Sequence, residues 1–455
     1  PIPVAIAMSI ITIPTAIAAI AILIIGEEIV PLSPFEKITL FAMKYSIFKT
    51  IMPFRSAKIT LFFLCTFISC KNNGQSQDYS SAQKAEKQTK EVVVGANRMY
   101  LYIKDLRAKN IAVVTNQTGI VKTEKDNYVH LVDTLLKKKI NISKVFAPEH
   151  GFRGEADAGE VVKDGKDSKT GLPIISLYGK NKKPTPEQLK GVDLVLFDLQ
   201  DVGVRFYTYI STLHYVMEAC AEQHIPIIVL DRPNPNAHYI DGPVLKSQFK
   251  SFIGMHPVPV VYGMTIGEYA QMINGEKWLH EGITADLKVI PLANYTHQTP
   301  YSLPVKPSPN LPNDVSINLY PSLCFFEGAN VSMGRGTSQQ FQIYGSPYFA
   351  KSSFSFTPHP NAGDKNPKFN GKLCYGEDLS KTPRLNQLNL SWLKKAFEQS
   401  KGVKTPFFTS SFNRIAGTDA LKKQIIEGKT EAEIRQTWQK ELEKFKEVRK
   451  KYLLY

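Results

Sequence analysis

Cysteine is scarce in this sequence, and several common signatures are missing altogether. Five of the 455 residues are cysteine, and beyond Cys70 only Cys220, Cys324 and Cys374 remain. An odd number with no CxxC pair argues against a disulfide framework, and no histidine spacing suggests a metal site. No G-x-G-x-x-G follows the first apolar run of the folded part, and neither G-x-x-x-x-G-K-[ST] nor G-x-S-x-G occurs. A dinucleotide enzyme, a P-loop enzyme and a serine hydrolase therefore have little support. Aromatics do not interleave with basic runs, so no nucleic-acid module is expected. Neither a metal nor an organic cofactor is expected. The length suggests two folded domains after processing.

What is present begins with two apolar runs. Residues 1–25 are almost wholly Ile, Ala, Val and Pro, long enough for one membrane span but interrupted by Pro3 and Pro14. The second run is preceded by Lys44, Lys49, Arg55 and Lys58 and ends in Phe67-Ile68-Ser69-Cys70. A basic region, a short apolar region and a small residue in that order make a secretory signal. Ser69-Cys70 resembles a bacterial lipobox, in which the cysteine carries lipid; an ordinary signal peptide is the alternative. Residues 1–69 are thus expected to be a leader, and residues 70–91 (Lys, Asn, Gln, Ser and Ala, hardly apolar) a solvated tether. The expected address is outside the cytoplasm, periplasmic and anchored to a membrane by lipid on Cys70. Most of the formal net charge of +15 lies beyond the leader, which suits attraction to an anionic polymer or to lipid headgroups without requiring either.

From residue 92 the pattern becomes strand, loop, helix, repeated. Short β-branched or aromatic runs at 111–114, 144–146, 173–177, 193–197 and 226–230 lack alternation, as expected of parallel strands covered on both faces. Helical patterns lie between them, at 128–136 and 209–222. This spacing predicts a doubly wound α/β domain over 92–245, with an α+β domain over 246–455. Ligands of open parallel sheets bind outside the carboxyl ends of the strands. There the sequence places Asn116, the stretch Ala147-Pro148-Glu149-His150-Gly151-Phe152-Arg153-Gly154, then Asp198, Gln200, Asp201, Asp231 and Arg232. Taken alone, the 147–154 stretch reads as a turn in which Glu149 caps a helix or pairs with Arg153. A Glu-His pair, aspartates and arginines converging on one edge is more than turn chemistry asks for, and points to a site.

The second half is richer in proline. Thr265 and Glu268 have the spacing of a helix-starting capping box. Residues 306–312 must be an extended loop, since proline removes donors and blocks helix. Arg335, between Gly334 and Gly336, either presents its fork to a carboxylate or pairs with Glu327. Residues 391–397 and 430–450 read as helices, the last with Ile434, Trp438, Leu442 and Phe445 as its core stripe.

In this order the chain contains the 147–154 stretch, Phe197-Asp198-Leu199-Gln200-Asp201-Val202-Gly203-Val204-Arg205-Phe206-Tyr207-Thr208-Tyr209, Leu230-Asp231-Arg232-Pro233-Asn234-Pro235, Pro307-Ser308-Pro309-Asn310 and Arg414-Ile415-Ala416-Gly417-Thr418-Asp419. Together these resemble the NamZ-type exo-β-N-acetylmuramidases over residues 92–455. The resemblance implies a Rossmann-like domain beside a smaller auxiliary domain, with the active site in the cleft between them. It also implies removal of N-acetylmuramic acid from the non-reducing end of peptidoglycan fragments, MurNAc-GlcNAc and muropeptides among them. The family's suspected catalytic glutamate falls on Glu149, the expected general acid, with His150 orienting it or binding sugar. Asp201 is the expected second carboxylate and Glu327 its rival, unless the N-acetyl group of the substrate takes that part. Arg205 or Arg335 would read the lactyl carboxylate that distinguishes muramic acid, and Tyr207 would pack on the sugar. Arg153, Asn116, Asp198, Gln200, Asp231, Arg232 and Asn310 complete the expected binding set. Two departures from the family pattern are Ala329, where threonine is usual, and Met333, where many members have glutamate. A muropeptide-binding lipoprotein that feeds a transporter without cleaving is the alternative.

Overall fold

A computed structural model describes residues 90–153 and 164–455. The expected leader, Cys70, the tether up to residue 89 and Gly154 lie outside the described residues. After β1 (Ile111–Thr115) comes a hairpin of β2 (Ile120–Lys122) and β3 (Tyr128–His130). Then follow β4 (Ile142–Ala147), β5 (Gly165–Lys166), β6 (Pro173–Ser176), β7 (Leu194–Asp198), β8 (Ile227–Leu230) and β9 (Leu287–Ile290).

Seven of these strands form one sheet in the order β5-β6-β4-β1-β7-β8-β9. All pairs are parallel except β5 with β6. Every residue of β1, β7 and β8 is buried, as the unbroken apolar runs require when both faces are covered. The chain runs outward from β1 through β4 to β6, then returns to the other side of β1 with β7. The doubly wound α/β fold expected from the sequence is thus observed, with all five expected strands in it.

Two elements differ from the sequence reading. Residues 128–130 pair with β2, and the helix starts only at Leu131 (Leu131–Lys137), where His130 accepts a hydrogen bond from the Val132 N–H. The hairpin wins there because its strands satisfy backbone groups that an early helix turn would leave open. The parallel sheet also runs past residue 245, since β9 pairs with β8 across the helix Ile266–Gly275. Thr265 and Glu268 close both halves of that helix's capping box.

The remainder carries a small antiparallel sheet, β10 (Ile343–Ser346), β11 (Ser355–Phe356) and β12 (Cys374–Asp378), in the order β10-β12-β11. Helices Ser391–Gln399 and Glu431–Lys450 appear where the periodicity places them, and Ile434, Trp438, Leu442 and Phe445 are all buried. Among the described residues no helix is long and apolar enough to cross a membrane.

Candidate active site

Beyond the carboxyl ends of β4, β6 and β7 lies a cavity of about 260 Å³. Glu149 and His150 follow β4, Tyr178 follows β6, and Tyr207 with Thr208 follow β7. Ser308, Asn310, Tyr320, Glu327 and Arg335 close it from the later part of the chain. A more open lobe of about 410 Å³ shares Glu327 and Arg335 and adds Ser332, Met333, Asp364, Asn366 and Lys368.

Local backbone geometry aims the key side chains. His150 and Gly151 both adopt positive φ, 74° and 76°. The chain therefore turns sharply at the end of β4, at a cost of order 1–3 kcal/mol for the non-glycine residue. Thr208, the residue just before the helix Tyr209–Glu222, makes no side-chain cap and instead donates its hydroxyl to Glu149 Oε2 at 2.8 Å. The Glu149 carboxyl is thereby tied to the start of that helix. Tyr178 hydrogen-bonds the same carboxylate, and burial together with Glu149 holds its phenol well above the ordinary range. Tyr209 donates to the Glu149 carbonyl at 3.4 Å and accepts from Asn116 Nδ2 at 2.6 Å, tying the turn to the end of β1.

Across the cavity, Glu327 lies on the turn Cys324–Gly328. Burial pushes its carboxyl up from the ordinary value, Arg335 and Lys368 pull it down, and Glu149 raises it again. Arg335 Nε is 2.9 Å from Asp364, and its Nη1 is 3.5 Å from Glu327. The flanking glycines are required: both have φ of 79°, and a Cβ on Gly336 would sit 2.5 Å from Pro367. Arg335 thus pairs with Glu327 and lines the cavity as well, so the two readings offered by its sequence setting are compatible.

Six of the expected residues, Glu149, His150, Tyr207, Asn310, Glu327 and Arg335, come together in the cavity. The others do not line it. Asp201 is buried, accepts from the Gly203 N–H at 2.7 Å and from the Tyr262 hydroxyl, and burial pushes its carboxyl up to about 6. Glu327, not Asp201, is the carboxylate facing Glu149. Arg205 has no exposed surface and donates to the carbonyls of Pro243, Val258, Ile415 and Ala416. It staples three chain segments and cannot also read a substrate carboxylate. Arg153 is bidentate on Asp167, at 3.1 and 2.8 Å. Asp198 and Arg232 form a buried bidentate pair. Gln200 donates to the carbonyls of Asp201 and Pro233. Asp231 accepts from Thr265, Gly267 and Tyr455, and its carboxyl is pushed up to about 7 by burial and then by Glu268. Asn116 is spent on Thr118 and Tyr209.

Sequence reasoning places Tyr178 at the predicted strand-end pocket without giving it a role, and passes over Thr208, Ser308, Tyr320, Asp364 and Lys368. Thr208 and Ser308 lie inside quoted motifs, so position is a usable signal for these two. Lys368 and Asp364 stand in no motif, and only folding brings them in.

The sequence models of the N-terminal and C-terminal domains of exo-β-N-acetylmuramidase NamZ match residues 111–315 and 318–455. The chain belongs to the NamZ family. It is 39% identical over 375 residues to the peptidoglycan β-N-acetylmuramidase NamZ of Bacillus subtilis (strain 168), covering 78% of this chain and 89% of that protein. Two crystal structures of DUF1343 family proteins from Bacteroides fragilis NCTC 9343 are similar to it. One is 44% identical with a TM-score of 0.73, the other 26% identical with 0.69, and each comparison covers 80% of this chain and 99% of the other. The two NamZ parts meet at the cavity: Glu149, Tyr178 and Thr208 come from the first, Glu327 and Arg335 from the second. Of the two departures from the family pattern, Met333 lines the open lobe, while Ala329 is fully buried.

The assignment of Arg205 and Asp198 to the scaffold makes a measurable distinction. Asp198→Asn leaves Arg232 buried without its counter-charge and should cost roughly 3–5 kcal/mol in urea unfolding. Arg205→Lys, which cannot span four carbonyls, should cost roughly 3 kcal/mol with KM unchanged. A raised KM at undiminished stability would return Arg205 to the substrate.

Proposed function

We propose that this NamZ family protein is an exo-acting β-N-acetylmuramidase, a glycoside hydrolase that removes non-reducing terminal N-acetylmuramic acid from peptidoglycan fragments. The observation that carries the reading at the level of the site is Glu149 facing Glu327 across one cavity. Glycoside hydrolysis needs an acid for the leaving oxygen and a carboxylate near the anomeric carbon. Glu149, held by Thr208 and Tyr178, is the acid: its proton passes to the glycosidic oxygen as the bond to C1 breaks, and the remaining glycan leaves as an alcohol. Glu327 faces the positive charge that builds at C1, and water adds at that carbon, its proton passing to the carboxylate pair so that Glu149 is an acid again. Tyr207 and Tyr320 supply aromatic walls for the sugar. Arg335 supplies the cation for the lactyl carboxylate, its guanidinium held in place by Asp364.

Export, a signal peptide and lipid on Cys70 are the reading of address that the leader supports, through its basic start, apolar run and Ser69-Cys70 end. A lipid-anchored periplasmic enzyme would meet cell-wall fragments on a 70–91 tether.

Incubation with a chromogenic β-N-acetylmuramic acid glycoside and its N-acetylglucosamine counterpart tests the activity. Release is expected from the muramic substrate alone, with at least a hundredfold loss in Glu149→Gln; muropeptide binding without release from either would make this a capture protein. Arg335→Lys loses the planar fork and should raise KM on the muramic substrate by roughly tenfold, and an unchanged KM would remove Arg335 from carboxylate recognition. Detergent partitioning of Cys70→Ser checks the anchor: the variant should move to the aqueous phase, and equal membrane association would exclude lipid on that thiol.

A further inference from the structure

Lys368 belongs to no sequence motif, yet its ammonium lies in the lobe that Glu327 and Arg335 share. Its Nζ donates to the Phe326 carbonyl at 3.1 Å and to the Ala329 carbonyl. These two carbonyls bracket Glu327 in sequence and lie at the end of the turn Cys324–Gly328, where the Phe326 carbonyl also accepts the Ala329 N–H at 3.0 Å. One ammonium therefore does two things: it reinforces the turn on which Glu327 rides, and it puts a positive charge into the lobe that Glu327 lines. We infer that Lys368 is a positioning residue for Glu327, holding the turn that carries it and adding a second cation to the lobe that Glu327 shares with Arg335.

The inference rests on Glu327 being the second carboxylate of the proposed hydrolase. Other groups also face Glu327: Arg335, itself paired with Asp364, then Glu149 across the cavity, with Tyr320 on the helix Asp314–Leu323, Cys324 at the start of the turn and Tyr178 on the β6 side. Arg335 and Lys368 are the two cations that lower the Glu327 pKa against burial and Glu149. Burial in turn pulls the Lys368 ammonium down to about 8, with Glu327 opposing that shift and Arg335 adding to it. Lys368 thus keeps its charge at neutral pH. Ala329 contributes only a carbonyl to this contact, so alanine in place of the family's usual threonine leaves it intact.

The test is the pH profile of kcat and kcat/KM on the chromogenic muramic glycoside for wild type, Lys368→Met, Lys368→Gln and Lys368→Arg. Removing the charge raises the Glu327 pKa, so the acid limb should move to higher pH, by about half to one unit. The Met variant should also lose kcat on the order of tenfold, with KM changed less. The Gln variant keeps a donor for the carbonyls, so it retains more kcat while showing the same displaced limb, and it reports on charge should the Met variant fail to fold. The Arg variant restores the charge and should return the limb to its wild-type place. A folded Met or Gln variant with the wild-type acid limb overturns the inference, as does an Arg variant displaced as far as Gln. Absence of wild-type turnover on the muramic glycoside would instead overturn the hydrolase reading and this inference with it.

Discussion

Asp198 and Arg232 meet through hydrogen bonds of 2.6 and 2.8 Å at the ends of the adjacent parallel strands β7 and β8, with almost no exposure to water. Two charges taken out of water are tolerated only when each satisfies the other. Arg232 goes further and donates to the Ile120 carbonyl at 3.0 Å, which binds the β2 hairpin to the same point. Next to this pair, Asn116 and Gln200 spend their amides on neighbouring backbone and on Thr118 and Tyr209. The crevice beside β1, where an open doubly wound sheet ordinarily receives its ligand, is therefore filled by the protein's own polar groups. The cavity lies to one side, over the ends of β4 and β6 and the start of the helix after β7. The same polar network that occupies the crevice also anchors the turn carrying Glu149, through Asn116 and Tyr209.

The two carboxylates of the cavity sit in contrasting surroundings. Glu149 is met by hydroxyls, those of Thr208 and Tyr178. Glu327 is half-buried and is met by cations, Arg335 and Lys368, which lower its pKa against the opposing effect of burial. Such unequal environments are how two residues of one chemical type take different parts in a single reaction. The later part of the chain supplies the second environment through rigid irregular backbone. The Pro307 carbonyl receives the Tyr207 hydroxyl at 2.8 Å, and the two left-handed glycines that flank Arg335 pack closely, Gly334 against Gln339 and Gly336 against Pro367.

The parts of this arrangement that were legible in the sequence share a short range. The parallel strands are uninterrupted β-branched runs, the capping box at Thr265 spans three residues, and the stripe of the last helix repeats within each turn. Glu149 and His150 were legible for the same reason: they stand directly after a strand, and strand ends of a doubly wound sheet converge. The errors share a cause as well. Asp198, Asp201, Asp231, Arg232 and Arg205 also stand at or near strand ends, with chemistry suited to a sugar. Whether such a side chain faces a cavity or a neighbouring backbone depends on partners far away in sequence, such as Ile415 and Ala416 for Arg205 or Tyr455 for Asp231.

The sequence by itself determined the class of fold, the family and the glutamate at the end of β4, because periodicity and contiguous motifs are local properties of the chain. Tertiary structure alone decided which second carboxylate faces Glu149, which arginine meets the cavity, and that Lys368 joins them. These are matters of desolvation and of distance between segments up to about two hundred residues apart. A buried polar group takes whatever partner folding brings within hydrogen-bond reach, and residue type does not reveal that partner.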